Sequence, residues 1–542
     1  MLKSKTSFLL LLWSILLLFP FALFANENSN VIIPKPQKLH AGKGYFVLER
    51  KTHYISDTTL SLNAINYLQN HLKQNAGYTL KKSKGTKTVI QFHYTSQKIK
   101  HSEGYRLDIS KNKISIEAKD SAGFFYAVVS VMQLMDPAIW AKGTKKSTWS
   151  IPVCNIEDHP RFKWRGLMLD SSRNFFSTTY VKKFIDRMAQ HKLNRFHWHL
   201  TDDEGWRIEI KKYPLLTKVG ATRGPGTKLP FSTYPAMRGS KKKRQSGYYT
   251  QKEIREIVAY AKARSVEILP EIDMPGHAKA AIVSYPKLLQ DPQDKSRYRS
   301  VQKVANNTVN PGIESTYTFI DNVLAEVSRL FPFGYIHLGG DEVPKGAWKK
   351  SPAVAKLMQK KGLKTKKEVE NYFFTRVDKI LAKHHKKMVA WQEVLKGKNS
   401  FRKQNMFMAW KSPKAANKIV KRHRQAILAP VQYLYFDQQY TRSKREPGHT
   451  WSTPVSTEKV YSFKPSNSSY IRGVEACLWS ETLLNTKIAD YLAWPRALAL
   501  SEVAWTGQSK RKWSEFRKRA SKYGLKRLKV QGVHYRSVVP IR

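Results

Sequence analysis

Cysteine is nearly absent: Cys154 and Cys477 are the only two among 542 residues. So few exclude a disulfide framework and a cysteine-based metal motif. One bridge between them is possible, but two buried thiols are the expectation. Acidic residues are also scarce. Forty Asp and Glu stand against 96 Lys and Arg, a formal charge of +56, and a field of that sign attracts anionic polymers, membranes and nucleic acid. Basic clusters such as Lys241–Arg244 and Lys383–Lys387 belong to a distribution that runs through the whole chain. Without a compact module or an aromatic-interleaved basic motif, that distribution argues for a solvated cationic surface and against a specific nucleic-acid function. An anionic cell-envelope polymer remains a partner the charge would suit. Two further absences narrow the class. The chain has no Gly-rich dinucleotide or phosphate fingerprint, and after the N-terminus it has no apolar run long enough to span a bilayer.

That N-terminus places Lys3 and Lys5 before an unbroken apolar run that ends at Ala25, ahead of polar residues. The pattern predicts a cleaved signal peptide over 1–25 and an exported protein, whether periplasmic, secreted or otherwise extracytoplasmic. The competing reading is an uncleaved anchor, because the run is long for a signal's apolar core and Leu23 stands three places before the cut.

Residues 28–155 mix strand-like runs (TVIQFHY, YRLDIS, KISIEA) with helix-like ones (LSLNAINYLQNHLKQNAG, SAGFFYAVVSVMQLM), as expected of a small α+β accessory domain. From 156 to 542 the texture is α/β. Eight short apolar runs, KWRGLMLDSS, RFHWHLTDD, VEILPEID, YIHLGGDE, KMVAWQE, MFMAW, AILAP and RGVEACLWSE, alternate with amphipathic helical stretches. Eight such units predict a closed (β/α)₈ TIM barrel followed by a C-terminal helix, with a doubly wound open sheet as the competing architecture.

Active sites of such barrels lie at the C-terminal strand ends. There the chain gathers Asp170, Arg173, His199, Asp202, Asp203, Glu271, Asp273, His277, Asp341, Glu342, Glu393 and Glu481, with Trp391, Trp410 and Trp479 among them. A lone carboxylate in that position often caps the next helix. Recurrence on so many strands favours one pocket, and tryptophan walls with directional polar groups suit a sugar ring. Two other readings stay open. His197 and His199 point to the same side of one strand and could bind a catalytic metal with His277 and Asp202. The barrel could also be a carbohydrate-binding protein that has lost catalysis.

HLGGDEV, from His337 to Val343, resembles the signature of glycoside hydrolase family 20, the exo-acting β-N-acetylhexosaminidases. GLMLDSSRNFF, FHWHLTDDEGWRIEI, GYYTQKEIREIVAYAKARSVEILPEIDMPGHAKAA, MVAWQEVL, YLYFDQQY and GVEACLWSE resemble further blocks of that family, in its order, from about Arg161 to Gly507. PKPQKL, from Pro34, resembles the opening of its accessory domain. The resemblance implies hydrolysis of terminal GlcNAc, with GalNAc open, from small carbohydrate substrates without metal or organic cofactor. It also explains why two acids sit side by side: the substrate's own 2-acetamido oxygen is the nucleophile, an exception to the two-carboxylate rule. Glu342 would be the general acid and base, holding its proton near neutral pH. Asp341 would stay ionised against the acetamido N–H. Tyr435 would donate to the acetamido carbonyl, with Tyr433 and Tyr440 as neighbouring alternatives. Trp391, Trp410 and Trp479 would cage the acetamido group and ring, Arg173, Asp437 and Glu481 would hold hydroxyls, and Asp202 with His277 would tune Glu342. GTKLPFSTYPAMRGSKKKRQSG has no counterpart in the family's blocks and is expected to be a basic surface loop near the pocket mouth.

Overall fold

The structure, a computed structural model, describes residues 31–83, 88–229, 244–397 and 399–537. The expected signal segment and most of the GTKLPF loop therefore lie outside the described residues. The chain divides into two compact units, 1–160 with 521–531, and 161–520 with 532–542.

The first unit is a seven-stranded mixed sheet in the order Lys38–Leu48, Trp149–Asp158, Tyr105–Ile109, Lys113–Ala118, Val89–Tyr94, His53–Ser56, Lys81–Lys82. Helices Leu62–Ala76 and Ser121–Leu134 accompany it. The second of these is apolar almost all round, and its residues from Gly123 to Leu134 are all buried, as a helix without a polar face must be. Two expectations are corrected here. The accessory sheet does not stop at residue 155, because Glu157 still pairs with Lys38 and Asp158 with Tyr105. The Asp158 carboxylate also accepts from the Tyr105 hydroxyl at 2.8 Å and the Gln37 N–H at 3.0 Å. The C-terminal helix Leu525–Val530 groups with this unit rather than with the barrel.

The second unit is a closed barrel of eight parallel strands: β1 Trp164–Asp170, β2 Arg195–His199, β3 Glu267–Glu271, β4 Tyr335–His337, β5 Lys387–Trp391, β6 Met406–Ala409, β7 Gln425–Leu428 and β8 Ile471–Leu478. Closure is made by β8 on β1, registered from Gly473 opposite Trp164 to Leu478 opposite Leu169. Each strand coincides with one of the eight apolar runs, and their residues are almost wholly buried. Amphipathic helices Thr178–Gln190, Gln251–Lys262, Glu314–Leu330 and Lys366–Lys383 follow four of the strands. Thr250 with Glu253 and Thr365 with Glu368 form capping boxes that satisfy otherwise unpaired N–H groups and set where two of these helices begin. Cys154 and Cys477 are free, buried thiols.

Candidate active site

The HLGGDE turn begins where β4 ends. Gly339 and Gly340 have φ of 65° and 93°, in the left-handed region. A Cβ on Gly339 would lie 1.7 Å from Asp273 Oδ1, so only glycine lets the chain turn this close to the loop after β3. Glu342 itself has a φ of 48°, uncommon for a side chain of its size and of order 1–3 kcal/mol in cost. The strained turn brings both neighbouring carboxyls to one cavity of about 240 Å³.

Nine of the eleven predicted site residues line that cavity: Asp341, Glu342, Tyr435, Asp437, Arg173, His277, Trp410, Trp479 and Glu481. Asp202 lies one layer back, with Oδ1 3.0 Å from His277 Nδ1. Trp391 departs from its expected place in the wall. It is fully buried, its ring centroid 5.9 Å from that of Trp479, because its indole N–H donates to Glu271 Oε1 at 3.1 Å inside the barrel. Of the three tyrosines, Tyr435 faces the cavity, its ring stacked 6.0 Å from Trp410. Tyr440 donates to the Trp494 carbonyl and Tyr433 packs on Phe463. Three lining residues escaped the sequence reading: Val301, Gln302 and Trp451. They sit in loops without hydrophobic periodicity. The exposed tryptophan was the only available signal.

The walls carry opposed charges. The Arg173 guanidinium lies 4.9 Å over the Trp479 ring and binds Asp202 Oδ2 at 2.6 Å and Asp170 Oδ2 at 3.3 Å. Burial pushes Glu481 up, but Arg173 and His449 outweigh it and hold the carboxyl down at about 2. Asp437 is pushed up to about 7 by burial, with Glu481 adding to the effect.

The two adjacent acids are set in an order opposite to the expectation. Burial pushes Asp341 up to about 7, and the charge of Glu342 adds to that rise. Glu342 is also raised by burial, but the His277 imidazole 3.7 Å away and the Gln302 amide, which donates at 3.1 Å, bring it below its usual value. In this arrangement the pair's proton belongs on Asp341.

Among the described residues His197 and His199 fall into separate ligand-type groupings, His197 with Glu271 and His337 and His199 with Asp202 and Asp273, and each ring is bound to a carboxylate. His197 Nδ1 lies 2.7 Å from Glu475 Oε1, and His199 Nδ1 lies 2.5 Å from Glu271 Oε2. Those separations are direct hydrogen bonds, whereas two ligands of one tetrahedral zinc stand about 3.3 Å apart.

Comparison with known proteins extends this picture to the whole chain. Residues 162–508 match the pattern of "Glycosyl hydrolase family 20, catalytic domain", and 30–159 match that of "Glycosyl hydrolase family 20, domain 2". A β-hexosaminidase of Vibrio furnissii is 35% identical over 481 residues, covering 87% of this chain and 76% of the relative. The N,N'-diacetylchitobiase of Vibrio harveyi is 30% identical over 575 residues, covering 89% of this chain and 63% of the relative. The crystal structure of a family 20 exo-β-N-acetylglucosaminidase from Vibrio harveyi, in complex with N-acetylglucosamine, superposes with a TM-score of 0.87 at 36% identity, covering 94% of this chain and 78% of that one. With more than half of the chain inside the catalytic-domain pattern and a closed eight-stranded barrel that superposes on a family 20 enzyme, this protein is a glycoside hydrolase and belongs to glycosyl hydrolase family 20.

Proposed function

We propose that the chain is an exported, exo-acting, retaining β-N-acetylhexosaminidase that removes terminal non-reducing GlcNAc, with GalNAc left open, by substrate-assisted catalysis through an oxazolinium intermediate. The observation that carries this reading is the convergence of Asp341 and Glu342, from one turn, on a cavity of about 240 Å³. That volume lies below the ~300–1,000 Å³ of pockets for drug-sized ligands and suits one terminal sugar. Adjacent acids are poorly placed to flank a glycosidic bond from both sides, and the family 20 resemblance gives the nucleophile's role to the substrate's acetamido oxygen.

That oxygen attacks the anomeric carbon while the bond to the aglycone breaks and Glu342 gives its proton to the leaving oxygen. Water then opens the oxazolinium ring, with Glu342 taking the water's proton. Two displacements at one carbon leave the β configuration unchanged. Asp341 accepts the acetamido N–H and stabilises the positive charge that develops there, Tyr435 donates to the acetamido oxygen, and Arg173, Asp437 and Glu481 hold hydroxyls. Substrate binding also reverses the order of the two acids. An N–H donated to Asp341 favours its ionised form, and the adjacent negative charge raises Glu342 so that the proton moves to the acid that must donate it.

The chitobiase name of the Vibrio harveyi relative makes chitobiose the first natural substrate to try. Export rests on the residue 1–25 segment, and the +56 charge suits work beside an anionic envelope polymer, which would appear as steeply salt-dependent association. The deciding experiment is NMR of the first product from an aryl β-GlcNAc glycoside, together with inhibition by an N-acetylglucosamine thiazoline. The β anomer forming first, with tight thiazoline binding, supports the reading; the α anomer forming first overturns it.

A further inference from the structure

Below the pocket, acids and imidazoles alternate through the barrel interior. Glu475 Oε1 lies 2.7 Å from His197 Nδ1, and His197 Nε2 lies 3.0 Å from Glu271 Oε2. The same Glu271 oxygen lies 2.5 Å from His199 Nδ1, and His199 Nε2 lies 3.0 Å from Asp202 Oδ2. Asp202 passes the pattern to His277, which faces Glu342. Glu475, His197, Glu271, His199 and Asp202 are all buried. The column has been given space by the backbone: a Cβ on Gly166 would lie 2.1 Å from Glu475 Oε2.

An imidazole with a carboxylate at each nitrogen must carry a proton on both, because a bare lone pair would face a negative oxygen. His199 stands in that position through hydrogen bonds at both nitrogens, while His197 has Glu271 and His277 has Glu342 at ion-pair distance from Nε2, 3.0 and 3.7 Å, so the column alternates in charge up to Glu342. The proton affinities agree. Burial lowers each of the three rings, and the flanking acids outweigh it, leaving His197 at about 9 and His199 and His277 well above the usual value. Glu271 is the branch point. Besides His197 and His199, it meets His337 Nδ1 at 2.7 Å and accepts the Trp391 indole N–H at 3.1 Å. Trp391 in turn backs Trp479 of the pocket wall.

We propose that Glu271 is a positioning residue for the reaction: its carboxylate fixes the charge of the column that ends at Glu342 and, through Trp391, the aromatic floor of the sugar pocket. This rests on Glu342 being the acid that donates to the leaving group. The titratable groups around Glu271 are His197 and His199 from β2, His337 from β4, Asp273 and Asp341 from the loops after β3 and β4, and Glu475 and Cys477 from β8. Arg173 acts on the column through Asp202.

The test is the pH dependence of kcat/KM for Glu271→Gln, an isosteric change that removes one negative charge. The positive potential left behind favours ionised Glu342, so the basic limb moves to lower pH by at least half a unit and kcat falls about 10- to 100-fold. Glu475→Gln removes the same charge from further away and gives a smaller shift in the same direction, a gradation that mere loss of packing would not produce. Superimposable profiles for wild type and a folded Glu271→Gln protein overturn the proposal. If Glu271→Gln does not fold, Glu475→Gln decides alone, and an unchanged limb there, or loss of the fold in both, overturns it. A wild type without hexosaminidase activity overturns the underlying reading and this one together, whereas an active wild type with unshifted variants defeats this one alone.

Discussion

His277 Nε2 lies 3.7 Å from Oε2 of Glu342, while Nδ1 of the same ring is bound to Asp202 at 3.0 Å. Burial alone would lower this imidazole, but Asp202 outweighs it and keeps the ring charged. A charged ring is a poor neighbour for a protonated acid. The arrangement therefore favours the pair's proton on Asp341, and in the proposed reaction an acetamido N–H donated to Asp341 would favour its ionised form and shift the proton to Glu342.

If Glu342 protonates the leaving oxygen, its loss must depend on how much that oxygen needs a proton. Glu342→Gln should lower kcat/KM on an alkyl β-GlcNAc glycoside by about 100- to 10,000-fold, with a much smaller loss on a dinitrophenyl glycoside whose leaving group departs unaided. Equal losses on both substrates would remove Glu342 from the acid role.

Asp341→Asn separates activity from stability. The neutral amide cannot balance the charge that develops on the acetamido group, so kcat should fall about 100- to 1,000-fold. Because Asp341 is pushed up to about 7 in the folded chain, its ionisation opposes folding at higher pH, and the variant should melt above wild type at pH 8. That gain should disappear near pH 4, where the acid is protonated in the folded chain. Paired thermal melts at the two pH values check it, and a variant less stable at pH 8 would contradict the burial argument.

The barrel was legible because its strands are short apolar runs, several of which stop at a polar residue, as GLMLD stops at Asp170 and VEILPE at Glu271. The two long accessory strands were not. KLHAGKGYFVL is mostly exposed and interrupted by two glycines, and WSIPVCNIED carries Pro152 at mid-length. Site residues at strand ends could be found, whereas Gln302 depends on a loop that returns to Glu342 from 40 positions earlier. The inward turn of Trp391 depends on Glu271 as an acceptor, a contact across 120 positions that no local pattern carries.

The buried imidazoles also predict the direction of global stability with pH. His197 is raised from an unfolded value of ~6.5 to about 9, so its ion pairs contribute fully below ~6.5 and are lost as pH rises toward 9. Asp437 and Asp341, both near 7, add to the fall, since between ~4 and ~7 the folded chain holds more protons than the unfolded one. Glu481, held at about 2, acts oppositely and loses its contribution only as pH falls from ~4 toward 2. The melting temperature should therefore peak at roughly pH 4–5 and decline steadily to pH 9. A flat or rising profile between pH 6.5 and 9 would show that these rings are not charged in the folded protein.

Chelation tests the same rings from another side. Because the short contacts of His197 and His199 are hydrogen bonds to Glu475 and Glu271, dialysis against excess EDTA should leave kcat and the melting temperature unchanged. A loss restored by zinc would turn the column into a ligand shell.

The last prediction concerns the pocket mouth. Trp451 lines the cavity yet remains 54% exposed, with its ring edge-on to Tyr435 at 6.1 Å, and Val301, 69% exposed, lines the same cavity. So much exposed apolar surface beside a pocket that holds one sugar is suited to covering the face of the next ring. Stacking of that kind contributes roughly 0.5–1.5 kcal/mol. Trp451→Ala should therefore raise KM for chitobiose about two- to tenfold while leaving inhibition by free GlcNAc, which needs only the inner pocket, near its wild-type value. If both change together, Trp451 acts on Tyr435 and the inner pocket; if neither changes, the mouth does not grip the aglycone.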